Sequence, residues 1–116
     1  MALNEYGAKL DRNGYAPSIM ETTAGTCYLC GAQTATERHE VFGSALRTKS
    51  KEHGLWVNLC PCCHRTAPYA VHRDGGEAAE LKHFTQLAAM ERYGWTMHEW
   101  KEKFFKNYLF MEEENV

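Results

Sequence analysis

The chain has 116 residues and a formal net charge of −2, which limits it to one domain around one modest hydrophobic core and argues against a generally basic nucleic-acid binder. Charges interrupt every apolar run, so no membrane span is expected, and the opening residues lack the basic-then-apolar order of an export signal, which predicts a cytosolic protein. Five cysteines are an odd number; in a reducing cytosol they point to metal binding and away from a disulfide framework.

Residues 1–26 hold Gly7, Gly14, Pro17 and Gly25 with no hydrophobic period, and read as an irregular arm with little chemistry of its own. Next comes CYLCG at Cys27, then the β-tolerant Gln33, Thr34 and Thr36, which predict a short strand ending near His39. Ser44 to Gly54 is polar and basic, a loop or short helix, and Leu55 to Leu59 is an apolar run of strand type. Two short strands thus bracket a basic loop. Pro68 limits any helix begun at Cys62 to a turn or two, because proline removes a backbone donor and clashes with the preceding turn.

Asp74 with Glu77 has the form of a helix N-terminus, and Leu81, Phe84, Leu87 and Ala88 follow at helical spacing until Gly94. Thr96 and Glu99 make a second capping-box pattern, ahead of a stripe of Trp100, Phe104, Phe105, Tyr108 and Leu109 that is most simply core. The expected organisation is an arm over 1–26, a metal-bearing core over 27–73 and helices over 74–116 that pack on it. His53, His83 and His98 have no partner pattern and are expected on the surface.

Charge is uneven along the chain. Cys27 to Arg73 holds six basic residues (Arg38, Arg47, Lys49, Lys51, Arg65, Arg73) against Glu37, Glu40 and Glu52, a balance of +3 that leaves −5 for the rest. A basic middle in an acidic protein suggests a local surface for an anionic partner, or an ordinary solvated loop.

Cys27-x-x-Cys30 and Cys60-x-x-Cys63 are two pairs separated by 29 residues, and each spacing lets both thiolates turn toward one ion. Four sulfurs at tetrahedral corners suit a structural zinc; an iron–sulfur cluster would use the same ligands. Cys62 is then spare. The ion would tie the approach to the first strand to the exit of the second, adding binding free energy to a small core.

His39 and Glu40 close the first strand, Asn58 lies in the second, and His64 follows the last cysteine in LCPCCHR. With His39-Glu40-Val41-Phe42-Gly43, Gly54-Leu55-Trp56-Val57-Asn58-Leu59-Cys60-Pro61, Val71-His72 and Lys106-Asn107-Tyr108-Leu109 in that order, the chain resembles the HNH (ββα-metal) endonuclease superfamily, nearest to small phage and prophage members with two CxxC knuckles. The resemblance implies an α+β fold: a zinc-stapled ββα-metal core of short β-hairpin plus helix, with a helical C-terminal extension. It implies metal-dependent hydrolysis of DNA phosphodiester bonds, by nicking or double-strand cleavage, in a bacterial cytosol. Small proteins of this kind often act as dimers, which implies a homodimer, although no segment marks an interface.

Within that resemblance His39 is the preferred general base, His64 holds Mg²⁺ or a softer divalent ion, and Asn58 orients His39 or its loop. Arg38, Arg47, Lys49, Lys51 and Arg65 are candidate phosphate contacts. If the family's ligand-and-base pair falls on His39-Glu40, His39 becomes the ligand and Glu40 takes the base position. His72 is a second candidate ligand, expected from the start of the later helix, and His64 has the alternative of serving the zinc site. The competing expectation from another class is a non-catalytic zinc module that binds nucleic acid or a protein partner.

Overall fold

The computed structural model describes residues 2–72 and 78–109. Strand β1 (Glu37–Glu40) pairs antiparallel with β2 (Trp56–Leu59), with Glu37 opposite Leu59, Arg38 opposite Asn58, His39 opposite Val57 and Glu40 opposite Trp56. The connection holds a 3₁₀ turn (Ser44–Leu46) and the short helix α1 (Arg47–Glu52), and a π-helical turn (Cys62–Thr66) follows β2. Then come α2 (Ala78–Tyr93) and α3 (Met97–Phe104). The chain is a small mixed α/β protein built on a two-stranded sheet. Among the described residues no helix is long and apolar enough to cross a membrane.

Opposed residues of an antiparallel pair share a face and neighbours alternate, so Glu37, His39, Val57 and Leu59 lie on one side and Arg38, Glu40, Trp56 and Asn58 on the other. All four residues of β2 are buried. Val57 and Leu59 join Val41, Phe42, Leu55, Trp100 and Phe104 in the core, where Trp100 and Phe104 stack at 4.3 Å and Phe42 meets each at 5.3 Å. The buried Ser50 hydroxyl clips α1 to the end of β1, donating to the Phe42 carbonyl (2.7 Å) and accepting the Phe42 amide (3.1 Å).

The opposite side of β2 is covered by the arm. Residues 2–26 contain no extended strand, but they are docked: the Ala16 amide donates to the Lys51 carbonyl, the Ile19 amide to the Gly54 carbonyl, and the Trp56 indole to the Ala16 carbonyl. Gly54 permits this approach. It has φ +75°, and a Cβ there would stand 2.3 Å from the Pro17 carbonyl oxygen.

Helix α2 differs in phase from the sequence expectation, whereas the stripe that begins in α3 is buried at Trp100, Phe104 and Leu109 as expected. In α2 the buried residues are Leu81, Thr85, Gln86 and Ala89, whereas Phe84 and Leu87 are exposed. The side that packs is chosen by Gln86, whose amide donates to Asn107 Oδ1 (3.0 Å) and whose carbonyl oxygen accepts the Tyr108 amide (2.6 Å). Asp74 and Glu77 lie outside the described residues. In α3 the Thr96–Glu99 capping box forms, but Phe105 is exposed because it takes φ +70° and turns the chain out of the helix. His53 is a further correction. It is buried, bonded to the Lys49 carbonyl and Glu5, and ringed by Tyr6, Tyr93 and Trp95. His83 is half-buried beside Phe84, and His98 is exposed.

Ser44 holds φ +51°, a left-handed conformation costing a residue with a Cβ about 1–2 kcal/mol. Replacing it with glycine removes that cost but adds about 0.5–1 kcal/mol of unfolded-chain entropy. Ser44→Gly is therefore expected to raise stability by up to about 1 kcal/mol, seen as a higher urea midpoint at unchanged slope. Gly54→Ala, against the Pro17 carbonyl, is expected to lower stability by at least about 2 kcal/mol in the same assay.

Candidate metal centres and the adjoining cavity

The sulfurs of Cys27, Cys30, Cys60 and Cys63 all lie within 4.8 Å of one another, a set that can hold a metal ion. Cys30 Sγ and Cys60 Sγ are 3.8 Å apart, which matches the edge of about 3.8 Å expected for a tetrahedron with zinc–sulfur bonds of about 2.3 Å. Each CxxC turn aims a backbone amide at its own first sulfur, Cys30 N at Cys27 Sγ and Cys63 N at Cys60 Sγ, both at 3.5 Å. Burial pushes the Cys27 thiol up, but surrounding amides outweigh it and bring it down to about 6, while burial and the neighbouring sulfurs push Cys63 up. Without an ion the four thiols compete for protons; a divalent cation removes that conflict. Cys62 is exposed and outside the cluster.

A second cluster lies on the His39 side of the hairpin. Ligating atoms of His39, His64 and His72 also fall within 4.8 Å of one another, with the ring of His39 centred 5.2 Å from His64 and 5.1 Å from His72. His64 leaves the π-helical turn directly after Cys63 and is buried. His64 Nδ1 lies 2.6 Å from Glu37 Oε1 and its Nε2 lies 3.0 Å from His72 Nε2. Ionised Glu37 can only accept, so Nδ1 carries the proton and the Nε2 lone pair faces the cluster, the carboxylate–imidazole arrangement that orients metal-binding histidines. The hydrogen bond from His64 holds the Glu37 carboxyl below its ordinary value.

His72 is placed by the turn after the π helix, its amide donating to the His64 carbonyl at 3.3 Å. Burial is the main cause that lowers His72, followed by the charges of His64 and Arg65. Burial also dominates at His39, and with its two imidazole neighbours takes it down to about 3. Three imidazoles with ring nitrogens within 4.8 Å of one another are a nitrogen donor set for a borderline divalent ion, which would displace the proton shared between His64 Nε2 and His72 Nε2.

These rings border a cavity of about 360 Å³ that also takes in Tyr15, Glu40, Arg38, Arg47 and Arg65. Glu40 belongs to neither metal cluster. Its Oε1 is 3.1 Å from Arg47 Nε, and its Oε2 accepts the Tyr15 hydroxyl. Arg65 pairs with Glu37 at 3.6 Å and Arg38 with Asp11 at 3.0 Å.

The expected constellation is therefore only partly assembled. Cysteines 27, 30, 60 and 63 meet, and His39, His64 and His72 meet. Asn58 does not reach His39: it lies on the opposite face, where its amide nitrogens, backbone and side chain, both donate to Thr22 Oγ1 and its carbonyl accepts the Tyr28 amide. Lys49 turns away to the Lys103 carbonyl and the Phe105 ring, and Lys51 lies over Tyr15. Two contributors were missed. Glu37 is legible as the residue two before His39, on the same strand face. Tyr15 carried no local signal, since its place depends on docking of the arm.

Two outcomes test these centres. Cobalt titrated into the reduced, metal-free chain is expected to give thiolate-to-metal absorption that survives Cys62→Ser and is lost in Cys30→Ser, with near-ultraviolet circular dichroism reporting loss of the packed aromatic core. For His39, the unfolded chain binds a proton below about pH 6.5 that the folded chain refuses until about pH 3. Its contribution to stability is thus complete above pH 6.5 and falls through that window by about 2 kcal/mol between pH 6.5 and 5. His39→Leu is expected to flatten this slope in urea unfolding by that amount.

No protein-family model, curated protein or solved structure matches the chain, so its function rests on this geometry and on the motif resemblance alone.

Proposed function

We propose that the chain is a divalent-ion-dependent endonuclease that hydrolyses DNA phosphodiester bonds at an HNH-type site, with structural zinc on Cys27, Cys30, Cys60 and Cys63. The observation that carries the reading is the convergence of His39, His64 and His72 at one end of a cavity bordered by three arginines.

The donor set bears on which ion serves there. Magnesium prefers hard oxygen ligands, whereas the cluster offers imidazole nitrogens and both oxygens of the adjacent Glu40 are engaged. A borderline ion such as zinc, nickel or cobalt fits better. Bound by the three histidines, a cation of this kind would offset the negative charge that grows on the phosphate during cleavage.

The chain's own residues account for the other requirements. Arg38, Arg47 and Arg65 border the cavity with planar guanidinium groups suited to phosphate oxygens. Transfer of Arg47 from Glu40 to an incoming phosphate would release Glu40 Oε1, while Tyr15 keeps Oε2 aimed; Glu40 could then accept a proton from water entering the cavity. The three-imidazole cluster favours His39 as a ligand and leaves the proton to Glu40, the reverse of the preference drawn from ordinary pKa values. Every arginine of the cavity is paired with a carboxylate, and this observation favours the non-catalytic zinc module as the competing reading.

Supercoiled-plasmid nicking by the zinc-loaded chain, with Mg²⁺, Mn²⁺, Co²⁺, Ni²⁺ or additional Zn²⁺, separates these. Activity is expected with at least one of the borderline ions, reduced by about 10²–10⁴-fold in His64→Ala and in Glu40→Gln. Absence of nicking with every ion, alongside salt-dependent DNA binding, would establish the non-catalytic module instead; full activity in Glu40→Gln would return the base to His39.

A further inference from the structure

On the far side of β1 from the histidines lies a second cavity, of about 380 Å³, that shares Tyr15 and Arg38 with the first and adds Lys9, Asp11 and Trp56. Its volume falls within the roughly 300–1,000 Å³ of small-molecule sites. We infer that this slot receives an unpaired nucleobase of the DNA strand next to the phosphate held in the histidine cavity, stacked on the Arg38 guanidinium. The identity of the ligand as DNA rests on the proposed nuclease function; the slot itself does not.

The platform is built before anything binds. The Arg38 guanidinium carbon lies 4.4 Å from the centre of the Tyr15 ring and 4.8 Å from that of Trp56. Its side chain is 40% exposed, so the guanidinium sits in the corner between two rings set at 80° to each other and keeps a side open to the slot. Each support is fixed in turn. Trp56 donates its indole N–H to the Ala16 carbonyl at 2.8 Å, Tyr15 is hydrogen-bonded to Glu40, and Asp11 Oδ2 accepts from Arg38 at 3.0 Å. Asp11 Oδ1 accepts the amides of Asn13 and Tyr15 at 2.9 and 3.0 Å. Guanidinium planes and aromatic rings are surfaces on which bases splayed from a strand stack.

Asp11 decides between a base and a second phosphate. Lys9 and Arg38 leave the slot net positive, so what separates the two is donor chemistry: the Asp11 carboxylate accepts N–H groups from the edge of a base, which a phosphate lacks, favouring adenine, cytosine and guanine, which carry exocyclic amines, over thymine. A base inside an intact duplex cannot reach such a slot, so the substrate class is DNA with an unpaired or extruded base at that position.

The test is fluorescence anisotropy of a labelled single-stranded oligonucleotide with the full zinc-loaded chain and no added divalent ion, so that binding is read without turnover. An abasic site is moved along the strand, and each oligonucleotide is titrated against wild type, Arg38→Lys and Asp11→Asn. At one position the abasic site is expected to weaken wild-type binding by about 5- to 150-fold. Arg38→Lys, which keeps the charge but not the plane, should weaken the intact strand by more than it weakens that abasic strand, so that the two losses do not multiply; an unchanged near-ultraviolet circular dichroism spectrum shows that the variant is folded. Asp11→Asn should erode the preference for amine-bearing bases over thymine.

An abasic site without effect at every position would overturn the inference, as would losses from Arg38→Lys and the abasic site that multiply independently. Competition by a free deoxynucleoside monophosphate as effective as the whole strand would overturn assignment to DNA. Coupling without plasmid nicking would sink the nuclease reading and leave the slot standing; nicking without coupling would do the reverse.

Discussion

Four sulfur atoms drawn within 4.8 Å of one another close a ring of chain around the hairpin, from the turn before β1 to the turn after β2. The enclosed strands are four residues each, too short for a two-stranded ribbon to stand alone in water. The closure also sets the chemistry, because His64 follows Cys63 directly and its backbone is therefore fixed by the thiol cluster. An ion bound at the sulfurs would hold the His64 imidazole in register with Glu37 and His39 across the hairpin. Stability and site geometry are thus coupled through a single residue-to-residue link.

Alternation along β1 divides labour at the strand's end. Glu37 and His39 face the imidazole cluster, Arg38 and Glu40 face the arm, and the cavity wraps around the edge so that His39, Arg38 and Glu40 all border it. The arrangement separates the nitrogen donors from Glu40 and Arg38, while Glu37, on the imidazole side, is engaged by His64 Nδ1 and Arg65. A carboxylate inside the imidazole cluster would add a negative ligand and a harder donor; Glu40 is instead held outside by Arg47 and Tyr15. Within the proposed function, this separation is what assigns the cation to one face of a strand and proton transfer to the other.

Much of this was legible locally. Two CxxC pairs, two short apolar or β-tolerant runs and the Thr96–Glu99 box each act over a few residues, and each has its counterpart in the structure. What escaped was whatever depends on distant partners. Asn58 sits in the expected strand, but its face is settled by the register opposite Arg38. The phase of α2 is settled by Gln86 bonding across 21 residues to Asn107, a polar contact that an apolar-periodicity argument weights the wrong way. His53 shows no local partner pattern in the sequence, since its Glu5 partner is 48 residues away. The resemblance to HNH proteins named the residues of the imidazole cluster, whereas Glu37 and Tyr15 emerge only from geometry.

The arm has a consequence for the order in which the molecule is completed. Its anchors, the Ala16 carbonyl for Trp56 and the Thr22 hydroxyl for Asn58, lie 40 and 36 residues from their partners. Closing such separations costs more chain entropy, by under about 1 kcal/mol, than pairing Glu40 with Trp56 and Glu37 with Leu59. The hairpin can therefore form while Tyr15 is still undocked, with the thiols in place but the cavity open on one side. On this account a chain caught part-way through folding has its metal ligands gathered but lacks the wall that aims Glu40. Any cleavage of nucleic acid that depends on that wall would be silent until the arm has docked on the hairpin.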